Sequence, residues 1–301
     1  PFSPRAPSRP LRHLPAARRR GLLNMHTATS YAALLSLGLI GAGCIGSTGG
    51  ALVSFPAAAH GITRAGAESH PDGNHTSDPL EFNTQSGWTV ALSRATVAIG
   101  AVYLSAARPL QNVRESACYA PALYVGEVRS ARVVDLLDPT PQPFPALGDG
   151  IADRALSGEV WLGSTAAVDA DTDKTVVLSV AGTARKNGVS IPFKGDFTIS
   201  SNRKKAPQSE AQPGSNPLCQ QRIIAPILVD FPLTNAGPGN GLDLEIDPRS
   251  FFQAVAFDEL PAPLAAGEPR LFIDREEGQP STSLYQGLRA NRGPWTFRFR
   301  P

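Results

Sequence analysis

Apolar residues recur at every second position along much of this chain. Trp88, Val90 and Leu92 alternate with more polar neighbours, and Ala95, Val97, Ile99, Ala101 and Tyr103 resume the same period after Ser93-Arg94. A period of two marks a strand with one buried face. Trp88–Tyr103 is therefore either one long bent strand or a hairpin without a glycine-rich turn. Ala122–Val134 gives another extended run, and Glu159-Val160-Trp161-Leu162 a short buried strand. Thr175–Thr183 and Val189–Ser200 flank Arg185-Lys186-Asn187-Gly188, and Asn-Gly between alternating runs predicts a hairpin. Arg222–Val229, Leu242–Ile246 after the Asn240-Gly241 turn, and Trp295–Arg300 continue the pattern. Only two segments read as helical. Asp247-Pro248-Arg249-Ser250-Phe251-Phe252 offers an N-cap followed by proline at the first position, and Ser281–Arg289 a short helix.

Composition points the same way. Glycine and proline stand at 28 each in 301 residues, spread evenly, which favours short strands joined by turns. The expected fold is all-β: an antiparallel β-sandwich, immunoglobulin- or transthyretin-like, with one or two short helical turns, forming a single domain over residues 51–301. A net charge of +2 provides no dense basic face, so nucleic acid is not an expected partner.

The N-terminal region carries two competing motifs in Ser36–Gly50. Gly41, Gly43 and Gly46 spell G-x-G-x-x-G, the dinucleotide-binding fingerprint. Its context is wrong: Gly49, Gly50 and Pro56 would break the helix that should follow, and no strand–helix alternation succeeds it. The other motif fits better. Tyr31–Gly43 is a run of small and aliphatic residues too short to span a bilayer, and Ile40-Gly41-Ala42-Gly43-Cys44 resembles a lipobox. Residues 1–43 are then a signal region removed on export, 44–50 a tether, and Cys44 the lipidated residue. Two or more acyl chains there would hold the protein stably in a membrane. Met25 is the only methionine, so Pro1–Asn24 is either an over-extended start or the product of an upstream non-Met start whose Arg18–Arg20 supply the positive region. The expected location is the bacterial cell envelope, with the outer membrane favoured because Ile45 follows the cysteine.

With Cys44 lipidated, Cys118 and Cys219 remain, and in an oxidising compartment an even remainder is most simply a disulfide. Closing a loop of about 100 residues would stabilise by roughly 4–5 kcal/mol on the chain-entropy account.

Candidate chemistry is sparse. His60, His70 and His75 lie among Glu68, Asp72 and Asp78 near the start of the mature chain, a donor set suited to Zn²⁺ or Cu²⁺. Their spacing puts no two on one face of a short element, so a solvated loop competes with a metal site. Asp169, Asp171 and Asp173 mimic the start of a calcium loop, but Lys174 and Val180 replace the required Gly and Glu. Arg203-Lys204-Lys205 sits in a Pro/Ser/Gln-rich connection and reads as solvated. G-x-S-x-G and H-E-x-x-H are absent, and the expected sandwich core holds no histidine to act as base.

Gly87–Leu104, Arg222–Phe231, Leu244–Leu260 and Ser283–Asn291 resemble segments of lipoproteins from high-GC bacterial genomes. The D-P-R-x-F-F-x-x-V-x-F segment is also similar, more loosely, to one in periplasmic β-sandwich proteins of the MbnP-like copper-associated family. Those carry four cysteines in a motif; this chain has only Cys118 and Cys219 for it, so no copper site transfers. The expectation is a membrane-anchored, non-catalytic binding or structural module, no cofactor being required, with another envelope protein or a small ligand as partner. The first alternative is a copper- or zinc-binding lipoprotein using the His/Asp segment, and the second an envelope hydrolase.

Overall fold

The computed structural model describes residues 50–64, 69–108, 123–166, 174–198, 222–274 and 278–301. Cys44, Cys118, Cys219, Asp169, Asp171, Asp173 and Arg203–Lys205 lie outside those residues.

A strand of 17 residues, β4 (Thr89–Ser105), is the spine of the larger sheet. It resolves the Trp88–Tyr103 alternative in favour of one strand. Along one edge β4 pairs in turn with β3 (Leu80–Asn83), β6 (Arg132–Asp135) and β5 (Tyr124–Val128). Along the other it pairs first with β10 (Val176–Lys186) and then with β9 (Arg154–Leu162). The period-two run is thus long because one strand serves five partners. Val90, Leu92, Val97, Ile99, Val102 and Leu104 are all buried in the core.

The predicted hairpin is present: β10 pairs β11 (Val189–Thr198) in register Lys186↔Val189. Asn187 has φ 50° and Gly188 φ 78°, the paired positive values that a two-residue turn of this twist requires. Beyond β9 lies β12 (Ile223–Pro232), and beyond β5 come β8 (Gly148–Ile151) and β1 (Leu52–Phe55). The extended run predicted over Ala122–Val134 is interrupted, since β5 ends at Val128 and β6 begins at Arg132.

The second sheet orders β15 (Trp295–Arg300), β13 (Gly241–Ile246), β2 (Ala57–Gly61) and β7 (Gln142–Pro143). Two pairings depart from the antiparallel rule: β13 with β2, and β11 with the two-residue β14 (Arg270–Leu271). The sheets face each other across one core. Phe299 of β15 meets Phe55 of β1 edge-on at 5.5 Å and stacks on Phe231 of β12 at 5.7 Å. The fold is an all-β sandwich, its elements lying in one compact unit, Ser47–Pro301.

The helical predictions hold. Asp247 accepts the Arg249 N–H at 3.0 Å, Pro248 opens the turn, and Pro248–Phe252 is a 3-10 helix. Helix α1 (Gln279–Leu288) buries Leu284, Tyr285 and Leu288. Among the described residues no helix is long and apolar enough to cross a membrane.

Candidate metal centre

Sequence proximity brings His60, His70 and His75 to one region, but the fold divides them. His60 sits on β2 and is buried, not in a solvated loop. Its Nε2 lies 3.1 Å from Asp243 Oδ1 on the adjacent β13, while its Nδ1 contacts the Gly61 carbonyl. Both ring nitrogens are therefore engaged. The hydrogen bond to Asp243 raises the His60 pKa above its ordinary value against the opposing effect of burial, and lowers that of Asp243. Arg300 adds a second cation to Asp243 at 3.0 Å. This is a structural ion pair that joins two parallel strands, and it removes His60 from the expected metal set.

His70 and His75 do meet. The segment between Arg64 and β3 folds back through local bonds: Gly73 N–H to His70 O at 2.8 Å, and Asp78 N–H to His75 O at 3.1 Å. Asp72 and Asn74 cap the turn by accepting the N–H two residues on, as such side chains do in loops. His75 N–H bonds to Ser93 O of β4 at 2.8 Å, which docks the turn on the sheet. The two imidazoles pack edge to face with centroids 4.5 Å apart. Asp78 completes the group: one donor atom from each of His70, His75 and Asp78 lies within 4.8 Å of the other two.

The hydrogen bonding of these rings is unequal. His75 is fully buried, and its Nε2 stands 2.9 Å from Asp135 Oδ2. The ionised carboxylate accepts there, so the proton sits on Nε2 and the lone pair on Nδ1. That Nδ1 is buried with no hydrogen-bond partner, and so is Nε2 of His70. Leaving a buried polar nitrogen unpaired costs about 1–3 kcal/mol, so each of these two atoms would be stabilised by a donor or cation that reached it. A carboxylate hydrogen-bonded to one nitrogen of an imidazole is the usual outer support of a metal-binding histidine.

Asp135 is itself held in place. Its Oδ1 accepts the Leu137 N–H at 2.9 Å, and the Gln142 amide bonds both its backbone N–H and its carbonyl, at 3.0 and 2.8 Å. On the near side Arg64 grips Asp78 through two bonds of 2.8 Å, one to each carboxylate oxygen. Ser69, next to His70, donates to Asp138 at 2.7 Å. Burial works against ionisation of Asp138, but the Ser69 hydroxyl and Thr140 N–H bring its pKa below the ordinary value.

Two imidazole nitrogens and a carboxylate oxygen form an N₂O set suited to Zn²⁺ or Cu²⁺. Tetrahedral donors at bonds of about 2.1 Å stand roughly 3.4 Å apart, so binding would draw in a pair standing at the 4.8 Å limit by roughly 1.4 Å.

Sequence inspection found His70, His75 and Asp78 but overlooked Asp135 and Arg64. A lone Asp in Val134-Asp135-Leu136 carries no signal, whereas Arg64 could have been flagged as the cation nearest the acidic segment. Two clefts lie elsewhere among the described residues. A cleft of about 500 Å³ is lined by Arg94, Ser179, Lys194 and Asp196, and one of about 450 Å³ by Pro261, Leu264 and Leu271. Neither includes a histidine. No family model, no curated protein and no solved structure matches this chain.

Proposed function

We propose that this protein is an exported, lipid-tethered and non-catalytic module of the bacterial envelope that binds one divalent transition-metal ion. His70 Nε2, His75 Nδ1 and an Asp78 oxygen are the donors, and Zn²⁺ or Cu²⁺ the ions their chemistry suits. The observation that carries this reading is the pair of buried, unpartnered imidazole nitrogens beside a carboxylate. A sandwich core needs no metal to form, so the ion is a ligand of the module and not its scaffold. Export and the Cys44 anchor rest on the lipobox-like Ile40–Cys44 segment.

The test is equilibrium dialysis of the mature protein against zinc and, separately, copper(II), with metal counted per chain. One ion per chain is expected, lost in His70→Ala and His75→Ala and retained in His60→Gln. Equal binding by all four proteins would place the metal elsewhere. Intact mass of the membrane-extracted protein tests the anchor: a lipid-sized increment on a chain starting at Cys44 is the expected result.

A further inference from the structure

Three features of the centre bear on what the metal is for. The donors all come from one short surface segment, His70–Asp78, so the ion would not tie the two sheets together. His75 is fully enclosed whereas His70 and Asp78 are half-buried, so the segment that carries the donors reaches solvent even though the His70 Nε2 and His75 Nδ1 atoms are covered. Asp78 also has a resident cation. Arg64 holds both of its oxygens at 2.8 Å and its carbonyl at 2.9 Å. The Asp78 carboxylate therefore has a counter-charge in place without a metal.

Resting on the metal-binding reading above, we propose that the ion is exchangeable cargo and that Arg64 is its stand-in. The metal and the guanidinium compete for the same two oxygens. The metal enters by taking a lone pair on Asp78 that Arg64 shares, and leaves as an incoming donor bonds to it. No electron moves in this exchange: bonds from the acceptor to the metal form as those from His70, His75 and Asp78 break, and Arg64 regains Asp78. The partner such a site serves is a second metal-binding molecule presenting nitrogen or oxygen donors, able to reach the ion before it is free.

The experiment loads the mature protein with zinc and mixes it with the chromophoric chelator 4-(2-pyridylazo)resorcinol over a range of chelator concentrations. Transfer whose rate rises with chelator concentration, with an unfolding midpoint that stays put when the zinc is gone, supports the proposal. In Arg64→Gln zinc should bind more tightly and transfer more slowly, by roughly 10-fold, the opposite sign to the loss that follows removal of an ordinary outer partner of a metal ligand. Arg64→Lys, which keeps a cation, should lie between that variant and the parent, and guards against a misfolded glutamine variant. A transfer rate independent of chelator, an unfolding midpoint that collapses on zinc removal, or weaker binding in Arg64→Gln would each overturn the cargo role while leaving the site standing. Failure of the parent protein to bind zinc at all would overturn the site and the cargo role together.

Discussion

His75 and Asp135 meet at 2.9 Å, Nε2 to Oδ2, across 60 residues of sequence, and that contact decides which nitrogen His75 offers to a ligand. Replacing Asp135 by Asn removes the charge that holds the Nε2 proton while keeping the shape. The expected outcome is a loss of zinc affinity of about 10–100-fold with the fold intact. Competition against a chelator, together with an unchanged circular dichroism spectrum, checks it. Affinity equal to the parent's would mean that Asp135 serves only the fold.

The His60–Asp243 pair predicts a pH dependence with a definite sign. The His60 pKa is raised on folding, mainly by the hydrogen bond to Asp243. Its contribution is therefore complete below the unfolded value of about 6.5 and fades as pH rises through the folded value. Asp243 is lowered by the same bond, so its share is present above its unfolded value of about 4 and fades as pH falls through the folded one. His60→Gln should be less stable than the parent at pH 6, with the gap narrowing toward pH 9. Thermal unfolding of both proteins across that range provides the comparison, and a constant gap would contradict the assignment.

Glu159 makes the opposite kind of prediction. It is buried on β9, where burial raises its pKa although Tyr124 and Trp161 each donate to Oε2 at 3.2 Å. The unfolded chain ionises first, so the cost of burying the charge appears as pH climbs above about 4.3 and levels off beyond the folded value. Glu159→Gln keeps an acceptor for both donors and removes that cost. Its unfolding midpoint at pH 7 should rise by roughly 2–4 °C. At pH 3.5 the two proteins should unfold together.

Two glycines should respond to alanine for different reasons. Gly188, at φ 78° in the β10–β11 turn, has open space around it, so only backbone strain opposes a side chain. About 1–2 kcal/mol is expected. Gly61 follows His60 on β2, where an added Cβ would fall 1.9 Å from the Leu136 carbonyl oxygen. Because that carbonyl belongs to the Asp135–Asp138 stretch beside the proposed metal centre, Gly61→Ala should cost more stability than Gly188→Ala and also weaken the proposed metal binding. Denaturant unfolding and zinc titration of both variants separate the two effects.

How much of this was legible beforehand follows from the range of each interaction. The β10–β11 hairpin, the 3-10 turn behind Asp247 and the short helix before Trp295 were all visible, because a turn residue's φ, a cap's hydrogen bond and a strand's alternation are set within a few residues. The short strands β1, β2, β3 and β8 were not predicted. In Leu52–Phe55 and Ala57–Gly61 the alternation is too brief to stand out from a loop, and only pairing with partners far along the chain extends them.

The site divides along the same line. By itself the sequence determined the candidate donor types and confined them to one segment, since His70, His75 and Asp78 are neighbours along the chain. It could not separate His60 from them. That was decided by the parallel pairing of β2 with β13, which sets His60 against Asp243 and uses up its ring. The orientation of His75 was likewise decided by β6 lying beside β4, which puts Asp135 behind its ring. Residue type and local spacing are properties of the chain; which lone pair is left unsatisfied depends on contacts made across sheets, and those exist only once the chain has folded.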